Sequence, residues 1–192
     1  MIFLGIDPGQ SGGIAALGLM SGPWASKFAE TERDLFAQVV ACGHDSREDI
    51  WVELWPTKPR LDVFAVIERV HSMPKHGVTS SFKFGQSYGF LRGLLIASGI
   101  PFEEVTPQKW QKAMGCLSRG DKNVTKRRAQ QLFPELKITH AIADALLIAE
   151  YGRRTFSRPG AVLLPALVPL SSEPGSSGRA GDHRPRSFSI HP

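Results

Sequence analysis

Cysteine is scarce in this chain of 192 residues: Cys42 and Cys116 are the two that occur. Two cysteines cannot staple a small disulfide scaffold, and such sparse use predicts a reducing, cytoplasm-like compartment. No run of about 18 apolar residues is present, so no membrane-spanning helix and no membrane partner are expected. Nor does a basic stretch followed by a long apolar run open the sequence, so a secretion leader is not expected. Acidic residues are the minority charge, 18 Asp and Glu against 23 Lys and Arg; the resulting +5 and pI of about 9.5 point to an anionic partner. With 42% hydrophobic residues, the length suits one sizeable core.

Lysine disappears entirely after residue 154, while residues 155–192 hold six of the fourteen prolines and seven serines. This predicts a Pro/Ser/Gly-rich disordered tail over 155–192 behind a folded domain over 1–154. Within the tail, "AVLLPALVPL" is apolar, but two internal prolines exclude a regular helix or central strand; a docking peptide is the other reading.

Upstream, residues 2–6 and 13–19 read as two strands joined by a Gly-rich turn, and "PWASKFA" as a third antiparallel strand. "TERDLFAQVVACG" places Leu35, Phe36, Val39 and Val40 at helical spacing, with Thr31 as cap and Gly43 as stop. "DVFAVIERV" is a buried strand by its continuous apolar, β-branched character. Residues 79–98 read as a helix although Gly85, Gly89 and Gly93 each cost about 1 kcal/mol in propensity. Close approach of another backbone would compensate, either the sheet of the same subunit or a second copy across a dimer seam. "IPFEEVTP" offers a further strand, with Thr106 and Pro107 as N-cap and first residue of the next helix. A helix from about Asp121 to Pro134 and one from Thr139 to Gly152 complete an α/β chain.

Three of these elements carry a carboxylate where the apolar pattern breaks: Asp7 and Glu68 at strand ends, and Asp144 on the nearly all-apolar last helix. Alone, Asp144 and His140 four residues before it fit a structural hydrogen bond or cap as well as a metal site. Three such acids together repel one another unless cations neutralise them. Hard oxygen donors suit Mg²⁺ or Mn²⁺, and a pair of ions can serve a phosphodiester; imidazole tolerates Mn²⁺ better than Mg²⁺. Glu53 in "WVELWP" is the rival acid, but Trp51, Trp55 and nearby prolines read as a loop or edge segment.

Between Gln108 and Arg128 lie seven basic residues, Lys109, Lys112, Arg119, Lys122, Lys126, Arg127 and Arg128, against one acid, Asp121. That is a phosphate-binding footprint, with a solvated helix face as the plain alternative. "HSMPKHGVTSSFKFG" adds Lys75, Lys83 and two phenylalanines near the start of the long helix; such a segment suits nucleic acid, and Phe82 and Phe84 equally suit a core.

Together, "GIDPGQSGGIA", "VIERVHSMP", "FGQSYGFLRGLL", "TPQKWQKAMG", "GDKNVTKRRAQQLFP" and "HAIADALLIAEYG" resemble the RuvC-like Holliday junction resolvases, and resemble the phage and chloroplast branch more than the bacterial one. The resemblance spans residues 1–154 in order. It implies a ribonuclease H-like fold, a mixed central sheet with helices on both faces. It further implies a homodimer and divalent-metal-dependent nicking of opposed strands of a four-way DNA junction, with two Mg²⁺ ions per site and Mn²⁺ able to substitute. Asp7, Glu68 and Asp144 match the family's metal-binding, catalytic acids; His140 matches the histidine four residues before the last acid in the chloroplast-like branch. Lys122 matches a lysine near the scissile phosphate. Two positions depart from the bacterial pattern: Ala141 stands where an acid or histidine is common, and His71 where a phenylalanine acts near the junction centre. Two other classes share the opening motif or the charge: a single-domain actin-like or sugar-kinase-like nucleotide-binding protein, and a non-catalytic branched-DNA-binding protein.

Overall fold

The computed structural model describes residues 1–9, 12–41, 63–69, 77–118 and 120–157. Five strands, β1 (Ile2–Asp7), β2 (Gly13–Leu17), β3 (Trp24–Lys27), β4 (Val63–Glu68) and β5 (Phe102–Val105), form one sheet in the order β3-β2-β1-β4-β5. β1, β2 and β3 make the antiparallel meander, whereas β4 and β5 join β1 in parallel. The turn after Asp7 is closed by Gly12 N–H donating to the Gly9 carbonyl at 2.8 Å. A side chain on Gly12 would run into the Asp7 carbonyl, so this glycine is required by space.

Alternation along β1 and β4 sorts the core into two layers. Ile2, Leu4 and Ile6, with Val63, Ala65 and Ile67, face a layer shared with α1 (Glu32–Ala41) and α2 (Val78–Ala97). Phe3, Phe64 and Val66 face the opposite layer, built by α3 (Pro107–Ala113), α4 (Lys122–Leu132) and α5 (His140–Phe156). A mixed sheet with helices on both faces is the ribonuclease H-like α/β arrangement the motifs imply.

The stretch of α5 from Ala141 to Ala149 is apolar nearly all round because it lies against the sheet and α4 together. It can lie so close because Gly5 and Gly13 leave room: a Cβ on Gly5 would collide with the backbone at Ala145 and Ala149, and one on Gly13 would come within 2.6 Å of the Ala141 carbonyl. Gly152, expected to stop this helix, sits inside it; a Cβ there would come within 2.8 Å of Val66. The helix therefore continues to Phe156, whose ring meets Phe64 at 4.7 Å between centroids. Residues 158–192, nearly all of the expected tail, lie outside the described residues, as does Gly43.

On α1, Thr31 Oγ1 accepts from the Asp34 N–H at 3.1 Å, as a cap should. Leu35 and Val39 are buried, but Phe36 faces outward at 49% exposure. α2 differs from expectation more instructively. Leu91, Leu94 and Leu95 do its packing, while a Cβ on Gly85, Gly89 or Gly93 would meet nothing within 4 Å. Packing among the described residues is therefore not why α2 carries glycines. Among the described residues, no helix is long and apolar enough to cross a membrane.

Candidate active site

β1 and β4 run in parallel with Ile6 beside Ile67, so the next residues, Asp7 and Glu68, end adjacent strands at the same level. By alternation both share the face of Phe3 and Val66, which α5 covers. Asp144, one turn into α5, joins them there: the two strand acids are each raised by its charge. Burial and then Asp144 push the Asp7 carboxyl up to about 6, against the Gly9 N–H, which donates to Oδ1 at 3.1 Å, and Lys122. Burial and then Asp7 push Glu68 up to about 7, and Asp144 adds a smaller push. Burial likewise raises Asp144, opposed by the Thr125 hydroxyl and by the charges of Lys122 and His140.

A lysine and a histidine border this acidic cluster. Lys122 is the first residue of α4, positioned by Asp121, whose side chain accepts from the Asn123 N–H at 2.9 Å as the N-cap. His140 opens α5 and is exposed, one turn before Asp144. Asp144 Oδ1 is buried and accepts no hydrogen bond among the described residues, a costly state for a carboxylate oxygen. No three His, Cys, Asp or Glu side chains among the described residues are already arranged to encircle one ion. The chemistry of the donors nevertheless fits a divalent cation: hard oxygens, mutual repulsion and one orphaned acceptor. Cys116 also borders the cluster, where burial and then Asp144 push its thiol up to about 11 and keep it protonated without metal.

Glu68 has a partner that the motif reading did not contain. Trp110, on α3 and wholly buried, donates its indole Nε1–H to Glu68 Oε2 at 2.6 Å. A faint signal was available: one tryptophan in a short, otherwise polar helix behind a Thr-Pro cap.

The basic candidates divide. Lys83, Lys109, Lys112 and Arg127 are exposed, and Lys126 is half-buried. Arg128 is engaged: Nε donates to the Met114 carbonyl at 2.9 Å and Nη1 to Gln131 Oε1 at 3.3 Å, tying α4 to the end of α3. Lys75, Arg119, His71 and the rival acid Glu53 lie outside the described residues.

No protein-family model matches the chain, and no curated protein matches it. Among solved structures, a T. thermophilus RuvC in complex with Holliday junction substrate is similar at 17% identity, covering 80% of this chain and 96% of that one, with a TM-score of 0.51. A second Thermus thermophilus RuvC structure gives the same identity and coverage, with a TM-score of 0.50. At 17% identity the likeness establishes the fold: this chain has the ribonuclease H-like α/β architecture found in RuvC.

Proposed function

We propose that this protein is a structure-selective DNA endonuclease, of the phage and chloroplast RuvC-like branch, that resolves four-way junctions in recombination, repair or phage DNA processing. The observation that carries the reading is the convergence of Asp7, Glu68 and Asp144 from β1, β4 and α5, with one buried carboxylate oxygen left unpartnered. A similar solved structure, RuvC, is bound to Holliday junction substrate, which supports branched DNA as the substrate class.

Asp7, Glu68, Asp144 and His140 would hold two divalent cations, Mg²⁺ or Mn²⁺. When bound, these supply Lewis acidity at the phosphodiester. Lys122, whose charge reaches Asp7 and Asp144, lies against the phosphate and offsets charge developing on its free oxygens. His140, exposed beside the cluster, ligates through a ring nitrogen or moves a proton between that nitrogen and solvent. The apolar floor of β1, β4 and α5 limits water around the acids. Lys83, Lys109, Lys112, Lys126 and Arg127 contact phosphates along the arms, with Lys75, Arg119 and the outer nitrogens of Arg128; such contacts raise affinity without reading bases.

A homodimer would place two such sites on opposed strands. The face of α2 supports a second copy as its occupant: Val78 and Phe82 are 88% and 72% exposed, and Gly85 and Gly89 continue the same stripe with none of the described residues within 4 Å of a Cβ on either. Residues 1–156, to the end of α5, would suffice for this activity, with the tail starting beyond Phe156 and not at residue 155.

A strand-by-strand nicking map on a mobile four-way junction, with flap and plain duplex as controls, tests the reading. Wild type nicks opposed strands symmetrically with Mg²⁺ or Mn²⁺, while Asp7→Asn binds the junction and does not cut. Normal cutting by Asp7→Asn overturns the site; predominant flap cutting makes the enzyme a broader branch nuclease. Tight junction binding by wild type without nicking favours the non-catalytic reading, and nucleotide binding in its place favours the actin-like one.

A further inference from the structure

Trp110 joins the acidic cluster to the rest of the core in a way its burial alone does not require. A buried indole has one donor and no acceptor, and any main-chain carbonyl would satisfy it. Here the acceptor is instead Glu68 Oε2, 42 residues away in sequence and at 2.6 Å.

The donor is also rigidly mounted. Thr106 caps α3, its Oγ1 accepting from the Lys109 N–H at 3.4 Å, and Pro107 occupies the first turn. Gln111, on α3, accepts at Oε1 from the Ser118 N–H beyond the helix at 3.2 Å, and the Met114 carbonyl accepts from Arg128. Trp110 itself, at 0% exposure, sits among buried core side chains that include Val105, Met114 and Cys116. Its N–H cannot swing away without moving α3.

Among the described residues, a carboxylate so held has one oxygen engaged and one left over. We propose that Trp110 is a positioning residue that pins Glu68 by Oε2, so that Glu68 presents Oε1 alone to a divalent cation. The inference rests on the metal-dependent reading of the site and adds how one of its acids is aimed. Groups that orient metal-binding side chains commonly change metal affinity or activity by ~10–100-fold when removed.

Trp110→Phe retains a large ring and deletes the N–H. In DNA-free protein, the Mn²⁺ or Mg²⁺ concentration giving half the maximal rise in melting temperature should increase ~10–100-fold in this variant. Its metal-free melting temperature should stay within a few degrees of wild type, and its junction affinity without metal should not change. Single-turnover nicking at sub-saturating metal should fall by a similar factor and recover as metal is raised. An unchanged half-saturating concentration overturns the proposal, as does a wild type with no metal-dependent shift in melting. If wild type binds metal but nicks no DNA, the nuclease reading fails while the thermal comparison still decides the role of Trp110.

Should Trp110→Phe not fold, the indole N–H resonance of Trp110 in wild type serves instead. It is assigned by elimination with Trp24→Phe, Trp51→Phe and Trp55→Phe. It should lie downfield of the others and move when Mg²⁺ is added; a resonance indifferent to Mg²⁺ overturns the proposal.

Discussion

Asp144 and Glu150 are buried or nearly buried carboxylates on the same helix, α5, yet their surroundings treat them in opposite ways. Glu150 is 4% exposed and fully satisfied: Arg153 grips both its oxygens at 2.7 Å, and Arg154 Nε adds a third bond at 2.7 Å. Although burial alone would raise it, these partners hold its carboxyl below the usual carboxylate value. Asp144 faces Asp7 and Glu68, has one oxygen without a partner among the described residues, and is raised. One helix thus carries a carboxylate placed for stability and another held at a cost, the contrast that the proposed cation site would produce.

The largest effect that tests this contrast is the loss of nicking. Asp144→Asn should lower metal-dependent junction cleavage by at least about 10²-fold, because it removes a charge from the centre of the cluster. The same change should raise the melting temperature of metal-free protein, since it relieves repulsion from Asp7 and Glu68. Glu150→Gln should leave nicking unchanged. If Asp144→Asn destabilises the metal-free protein while Glu150→Gln does not, the assignment of costs to the two acids is inverted.

Next in size is the response to metal. At pH 7 Mg²⁺ or Mn²⁺ should stabilise wild type, by about 2.7 kcal/mol at a hundred times the dissociation constant. Thermal melts with increasing metal should show this shift in wild type and Glu150→Gln and lose most of it in Asp144→Asn. An equal shift in Asp144→Asn would place the cation elsewhere.

Much of this contrast was legible before any coordinates. Asp7 and Glu68 stood out because a carboxylate ended an otherwise apolar strand, and the period of two along parallel neighbours puts them on one face. Asp144 stood out because the helix around it is apolar on every side. Glu150, with arginines three and four residues on, had readable local spacing, but nothing local marks it as buried. Trp110 was illegible because its acceptor is 42 residues away and the docking of α3 is a tertiary fact. For the same reason Arg128 counted as a phosphate contact although its Nε supports the Met114 carbonyl. The glycines of α2 were visible, but the open space above them was not.

A smaller effect isolates the satisfied acid. Glu150→Gln removes the charge that both arginines share; because Arg153 and Arg154 are about half exposed, water recovers much of what they lose. A destabilisation of about 1–2 kcal/mol is expected, read as a lowered urea midpoint with an unchanged slope. A change below about 0.3 kcal/mol would mean that the bonds to Glu150 contribute no more than an exposed ion pair.

The finest test is the pH dependence of stability without metal, in which the two kinds of acid act with opposite sign. Asp7 and Glu68 have folded values near 6 and 7, above their ordinary 3.8 and 4.5. The folded state therefore holds protons more tightly at these groups, and their contribution is present below the ordinary values and lost as pH rises through about 6 to 7. Glu150 is lowered from 4.5, so its contribution is present above that value and lost as pH falls below it. Metal-free melting temperature should consequently pass through a maximum near the ordinary carboxylate values, at about pH 4, falling on both sides. Asp7→Asn combined with Glu68→Gln should flatten the neutral limb and leave the acid one, whereas Glu150→Gln should weaken the acid limb and spare the neutral one. Saturating Mg²⁺ should also remove the neutral limb, because a bound cation offsets the repulsion that the protons relieve. A neutral limb that persists in the double variant would assign that fall in stability to groups outside the cluster.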